Sequence, residues 1–145
     1  MVLTKSELIA SLQNEVRILL HLAGKIDRAT LDYRPTPKQR STIELLRYLT
    51  VMGPALVRAA KSGAFDPAAW PAVYAELLAD VSDADFRAEV EIFGGKCSRG
   101  AFLVNTVLCG CAAYRTQIFL YLKSCGRQDL NTMNLWAGVD PPRKD

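Results

Sequence analysis

Histidine is nearly absent from this chain: His21 is the only one among 145 residues. A metal centre built on several imidazoles is therefore excluded. Uninterrupted apolar runs of the ~18 residues that a membrane span requires are missing as well. The N-terminal stretch MVLTKSELIASLQNEV is amphipathic from its start and lacks the apolar block of a signal peptide. A cytoplasmic location and no membrane partner are expected. Basic residues are scattered with no run of five, and the net charge is only +3, so no phosphate-tracking stripe exists and no nucleic-acid partner is expected. No phosphate-cradling glycine loop, Ser-His-Asp spacing or acidic pair stands out. Cysteines are few: Cys97, Cys109, Cys111 and Cys125 read as reduced thiols. Cys109 and Cys111 lie two apart on a helix and point to opposite sides, so they cannot chelate one ion together. They read as small buried hydrophobes, since no cationic neighbours mark a reactive thiol.

What is present is helix-forming sequence. Half of the residues are hydrophobic and 23% are charged, the balance of a folded domain, and residues 1–145 are expected to form a single one. Thr4 and Glu7 make a capping box opening a first helix to about Lys25, with Leu8, Leu12, Val16, Leu19, Leu20 and Ala23 as its core stripe. His21 lies beside that stripe near the helix end, as a structural or surface residue. Gly24 to Arg40, with DYRPTPKQR, reads as an exposed extended linker. Ser41 and Glu44 make a second box, and the helix that follows carries Gly53–Pro54, expected to kink or interrupt it before Gly63 ends it. A third helix is predicted from Trp70–Pro71 with Tyr74, Leu77, Leu78 and Val81 on one face. SDADFRAEVEIFGGK supports either a helix start at Ser82 or a short extended piece in EVEIF.

The chain is organised around its longest proline-free stretch, Ser98 to Gly126. It reads as one long helix capped by Ser98 and stopped by Gly126. Phe102, Leu103, Val104, Val107, Leu108, Cys109 and Cys111 go round most of its circumference. A second apolar contact is therefore predicted, most simply a homodimer through apolar helix faces. The tail after Gly126 is expected to be irregular, tucked back by Leu130, Met133, Leu135 and Trp136. Four amphipathic helices argue for an all-α four-helix bundle, because two separate hairpins would each have too small a core.

Two segments, YRPTPKQRSTIELLRYL and AAYRTQIFLYLKSCG, resemble the DinB/YfiT-like superfamily. The first is similar to that family's loop and helix ending in a Leu-Leu-x-His-Leu pattern. The second is similar to its His-Arg-Gly-Gln-x-x-x-Tyr-Leu run before a glycine. The resemblance implies a four-helix bundle, commonly up-down-down-up and often homodimeric, with long loops after helices 1 and 2. Several members of the family are metal-dependent and act in thiol transfer or related chemistry. The family's three metal histidines fall by position on Tyr48, Gly110 and Tyr114, none of which is a histidine. Arg115 and Gln117 match the family's Arg and Gln. Arg115 is either an ordinary exposed arginine or a partner for an acid from a loop or a second subunit.

Gly110 inside a helix costs ~1 kcal/mol against alanine and asks for a reason. Tyr48 and Tyr114 either hydrogen-bond across the vacated position as a packed plug or line a small pocket with Gln117 and His21. The expectation is a bundle without metal or cofactor that binds a small ligand or a protein partner. The competing readings are a metal-dependent thiol transferase or hydrolase using other ligands (His21, a cysteine, Asp27 or Asp32), and a structural subunit of an assembly.

Overall fold

The computed structural model describes residues 3–66 and 73–142. Helix α1 spans Lys5–Ala23 and opens on the expected box: Glu7 N donates to Thr4 Oγ1, and Thr4 N donates to Glu7 Oε2 at 2.8 Å. Its core face differs in phase from the expected stripe. Leu8, Leu12, Ile18 and Leu22 are buried, whereas Val16 and Leu20 are 37% and 67% exposed. The run of spacings four, three, four, three passes through Leu8, Leu12, Glu15, Leu19 and Leu22, so a carboxylate sits in the middle of the buried face.

The linker after α1 is exposed throughout residues 34–40, as expected, but it is folded into turns and bends rather than extended. Asp27 caps a 3₁₀ turn, Arg28–Thr30. Tyr33 O and Leu31 O then accept from Thr42 N and Ile43 N at 2.9 and 3.0 Å. The Tyr33 ring packs edge-on against Tyr121, centroids 5.4 Å apart. Helix α2, Thr42–Ser62, starts at the Ser41–Glu44 box and ends on Gly63, whose φ of 76° is left-handed. Gly53–Pro54 does not interrupt it. Every residue from Met52 to Val57 is buried, and that packing outweighs an intrinsic proline cost of ~3 kcal/mol. Gly53 is there for space: a Cβ would fall 1.8 Å from the Tyr74 hydroxyl.

The third predicted helix is short where it is described. Helix α3 spans only Tyr74–Leu77, and the proposed start at Trp70–Pro71 lies outside the described residues. Both readings of the next segment occur in succession. Helix α4, Asp83–Arg87, is capped by a Ser82–Asp85 box. Strand β1, Glu89–Ile92, then pairs antiparallel with β2, Gly95–Ser98, in the register Val90↔Cys97. Strand β2 was not anticipated. The turn between them has positive φ at both Phe93 (55°) and Gly94 (77°), the backbone pattern of a two-residue hairpin loop.

The last long stretch is helical from Arg99 to Ser124. Helix α5, Arg99–Phe102, is capped by the Ser98 hydroxyl; a π-helical stretch covers Leu103–Leu108; helix α6 is Cys109–Ser124. Gly126, at φ 93°, follows its end. The π stretch has a readable cause. Buried positions recur every four residues at Leu103, Val107, Cys111 and Arg115. Each such step drifts about 40° round an α-helix, and the wider turn that holds Leu103 and Val107 offsets that drift. The apolar surplus expected to require a second copy is largely taken up inside one chain: Phe102, Leu103, Val107 and Cys111 are buried, and Cys109 is exposed.

Two core clusters result. One gathers Leu8, Leu12, Met52, Val57, Tyr74 and Leu103; the other gathers Ile18, Leu22, Leu45, Ile118 and Leu122; Leu19, Leu49 and Tyr114 pack against both. The tail forms a π-helical turn, Met133–Ala137. Leu130 is buried as expected, but Met133 and Trp136 are 43% and 66% exposed. The residue that anchors the turn is the polar Asn134, 1% exposed.

Candidate functional site

Helices α2 and α6 run antiparallel past each other in matched turns. The Tyr48 and Tyr114 rings meet edge-to-face, centroids 5.3 Å apart with an interplanar angle of 68°. One turn further along α2, Met52 lies against Gly110, its Cε 3.6 Å from where a Cβ would stand. That is ordinary van der Waals contact, so close helix approach does not demand glycine at 110. Both tyrosines are half-buried against the core. Burial, and then the neighbouring Tyr114 hydroxyl, push the Tyr48 hydroxyl up to about 12. The Arg40 guanidinium lies 4.1 Å above the Tyr48 ring, a cation–π contact.

Gln117 and His21 are not part of this ring contact. Gln117 Nε2 donates to the Tyr121 hydroxyl at 2.7 Å, and that hydroxyl donates to Arg40 O at 2.9 Å. Gln117 therefore acts through Tyr121 on the loop that carries Arg40. His21 belongs to the tail: its Nε2 lies 3.1 Å from Asn134 Nδ2 and 3.7 Å from Asp140 Oδ1. Asn134 and Lys25 both donate to Asp140, at 2.9 and 2.6 Å. Arg115 is buried rather than exposed, and its acid comes from α1, since Nη1 lies 2.7 Å from Glu15 Oε1.

A hollow of about 370 Å³ opens beside Tyr48, walled by Met52 and Leu56 of α2, Phe65, Thr106 of the π stretch, and Phe93 at the hairpin tip. Phe93 packs on Phe65 at 5.3 Å and lies 6.4 Å from Phe102. A second, larger hollow of about 560 Å³ lies between the start of α1 and α4–α5, lined by Leu8, Phe86, Ala101 and Val104. None of the residues picked out for a site from the sequence lines it.

No protein-family model matches the sequence, and no curated protein matches it either. The structure of a DinB-like protein from Bacillus subtilis, YjoA, superposes with a TM-score of 0.67 over 86% of this chain and 94% of the other, at 17% identity. The fold is DinB-like. Identity at that level shows the fold and nothing of the chemistry.

Within the DinB-like bundle, the three positions matched by resemblance to metal histidines stand on facing turns of α2 and α6. They offer two phenol oxygens and no imidazole. Among the described residues, no group of three or more His, Cys, Asp or Glu side chains is placed to hold a metal ion. The other proposed ligands are scattered: His21 is in the tail cluster, Asp27 caps the 3₁₀ turn by accepting from Ala29 N at 3.0 Å, and Cys111 is buried with its sulfur 3.9 Å from the Tyr74 hydroxyl. Burial holds the Cys111 thiol protonated above its ordinary range. No helix among the described residues is long and apolar enough to cross a membrane.

Sequence reading missed Arg40, Phe65, Phe93 and Thr106. The run IFGG carried the one usable signal, since paired glycines after an alternating segment mark a hairpin.

Proposed function

We propose that this DinB-like bundle works without a metal and binds a small ligand beside Tyr48. The observation that carries this is the closure of Tyr48 on Tyr114. A catalytic transition-metal site needs about three protein ligands and an open position. Here two of the three positions hold phenols engaged with each other, and Gly110 has no side chain to give. Phenolate is the form of tyrosine that ligates a metal, and burial of Tyr48 opposes its formation. The rings fill the space between α2 and α6, and the hollow on the far side of Tyr48 is left open for a ligand.

Zinc titration of the native chain and of a Tyr48→His/Gly110→His/Tyr114→His variant tests the reading. The native chain should take up no zinc at micromolar concentration, and the folded variant should gain about one equivalent. Stoichiometric uptake by the native chain would overturn the proposal. A folded variant that gains nothing would show that the three positions do not converge.

A further inference from the structure

We infer that the hollow beside Tyr48 takes a neutral aromatic ligand, with Phe93 as its stacking wall; this deepens the ligand-binding reading above and rests on it. Phe93 is the observation that asks for an explanation. It is the one non-glycine residue among those described with positive φ (55°), and a bulky side chain is a poor occupant of that conformation. Hairpin loops of this type favour Asn, Asp or Gly. Burial does not offset the strain, because the side chain remains 67% exposed. What the conformation achieves is placement: the ring packs on Phe65, itself 44% exposed, and walls the hollow. Strain without burial, in a residue facing a cavity, points to a role in binding.

The lining sets the chemistry of the occupant. Among the described residues, no Asp, Glu, Lys, Arg or His contributes to it, and its polar side chains are Tyr48 and Thr106. Arg40 stacks on Tyr48 but does not line the hollow. A charged ligand would lose its hydration there and find no counter-ion. A flat neutral molecule would meet aromatic edges and faces at Phe65, Phe93 and Tyr48, and the adaptable thioether of Met52. The Thr106 hydroxyl is available to a single polar group on it, whereas the Tyr48 hydroxyl is already engaged with that of Tyr114. The volume, about 370 Å³, falls within the range of small-molecule sites.

Two fluorescent probes with the same ring system separate the possibilities: N-phenyl-1-naphthylamine, which is neutral, and 8-anilino-1-naphthalenesulfonate, its sulfonated counterpart. The neutral amine should bind the native chain saturably at one equivalent, and the sulfonate about tenfold more weakly or worse. Phe93→Gly suits the left-handed backbone, so its unfolding midpoint should equal or exceed that of the native chain. Its affinity for the amine should nonetheless drop by about tenfold. Equal binding of both probes, or undiminished binding by Phe93→Gly, would overturn this inference and leave the ligand-binding reading standing. Failure of both probes to bind would overturn the two together.

Discussion

Arg115→Met should be among the most damaging single substitutions in this chain, and the reason is Glu15. The Arg115 side chain is 5% exposed and its Nη1 sits 2.7 Å from Glu15 Oε1, while the Glu15 side chain is 12% exposed. Removing the guanidinium leaves a carboxylate in the middle of the buried face of α1 with no counter-charge. Breaking such a pair costs about 3–5 kcal/mol, a large part of the 5–15 kcal/mol that holds a domain together. The expected fall in Tm is on the order of 10 °C for a chain of this size. The pair is also incompletely satisfied: among the described residues, Glu15 Oε2 and Arg115 Nε have no hydrogen-bond partner. Replacing both ends together, as Glu15→Met/Arg115→Met, removes the charge and the unmet polar atoms at once. That double variant should return to within about 1 kcal/mol of the native chain or exceed it. Urea unfolding of the native chain, both single variants and the double variant completes the cycle. A cost below about 1 kcal/mol for Arg115→Met, or no recovery in the double variant, would refute this account of the pair.

Gly53→Ala should cost about 1–3 kcal/mol by overpacking, since its Cβ would collide with Tyr74, whereas Gly110→Ala should gain up to ~1 kcal/mol because only Met52 stands near, at 3.6 Å; urea midpoints that order the two the other way would contradict the packing. Tyr48, raised to about 12 by burial and by Tyr114, keeps its proton in the folded state after the unfolded chain has lost it. Its contribution to stability is thus fully present below pH 10 and is lost as pH rises through about 12. Ultraviolet titration should show one late-ionising phenol fewer in Tyr48→Phe, and an unchanged late phase would count against the assignment. A thiol reagent should modify the exposed Cys109 in the native protein and the buried Cys111 only on unfolding, which mass mapping of the labelled protein reads directly.

Local signals were the legible part of this sequence. Thr4–Glu7, Ser41–Glu44 and the Ser82 start each formed a cap where the spacing predicted one, because a capping box is complete within four residues. The phase of α1 was harder to read. Counting apolar residues favoured Val16 and Leu20, while the face that is buried passes through Glu15, whose partner lies 100 residues away in the chain. No local pattern can reveal that pairing. His21 failed as a pocket residue for a similar reason: Asn134 and Asp140 hold it in the tail, and neither could be assigned to it from α1 alone.

The hairpin tip was hidden by its composition. A phenylalanine at the first loop position carries no turn signal, so β2 was not anticipated and neither was the aromatic wall beside Tyr48. The pairing of Tyr48 with Tyr114 came from the positions of a family pattern, and the structure brings those two rings into contact. What periodicity could not foresee was the π stretch. Its widened turns carry the buried Leu103 and Val107, and Thr106 between them stands in the wall of the hollow.

The most direct test of the central claim is the metal content of untagged protein, measured by elemental mass spectrometry after dialysis against a weak chelator. A metal-free bundle predicts zinc, nickel and iron each below about a tenth of an equivalent, since a structured site would hold its ion through that dialysis. A full equivalent of any of them would contradict it and would mean that this chain builds a centre from ligands other than Tyr48, Gly110 and Tyr114.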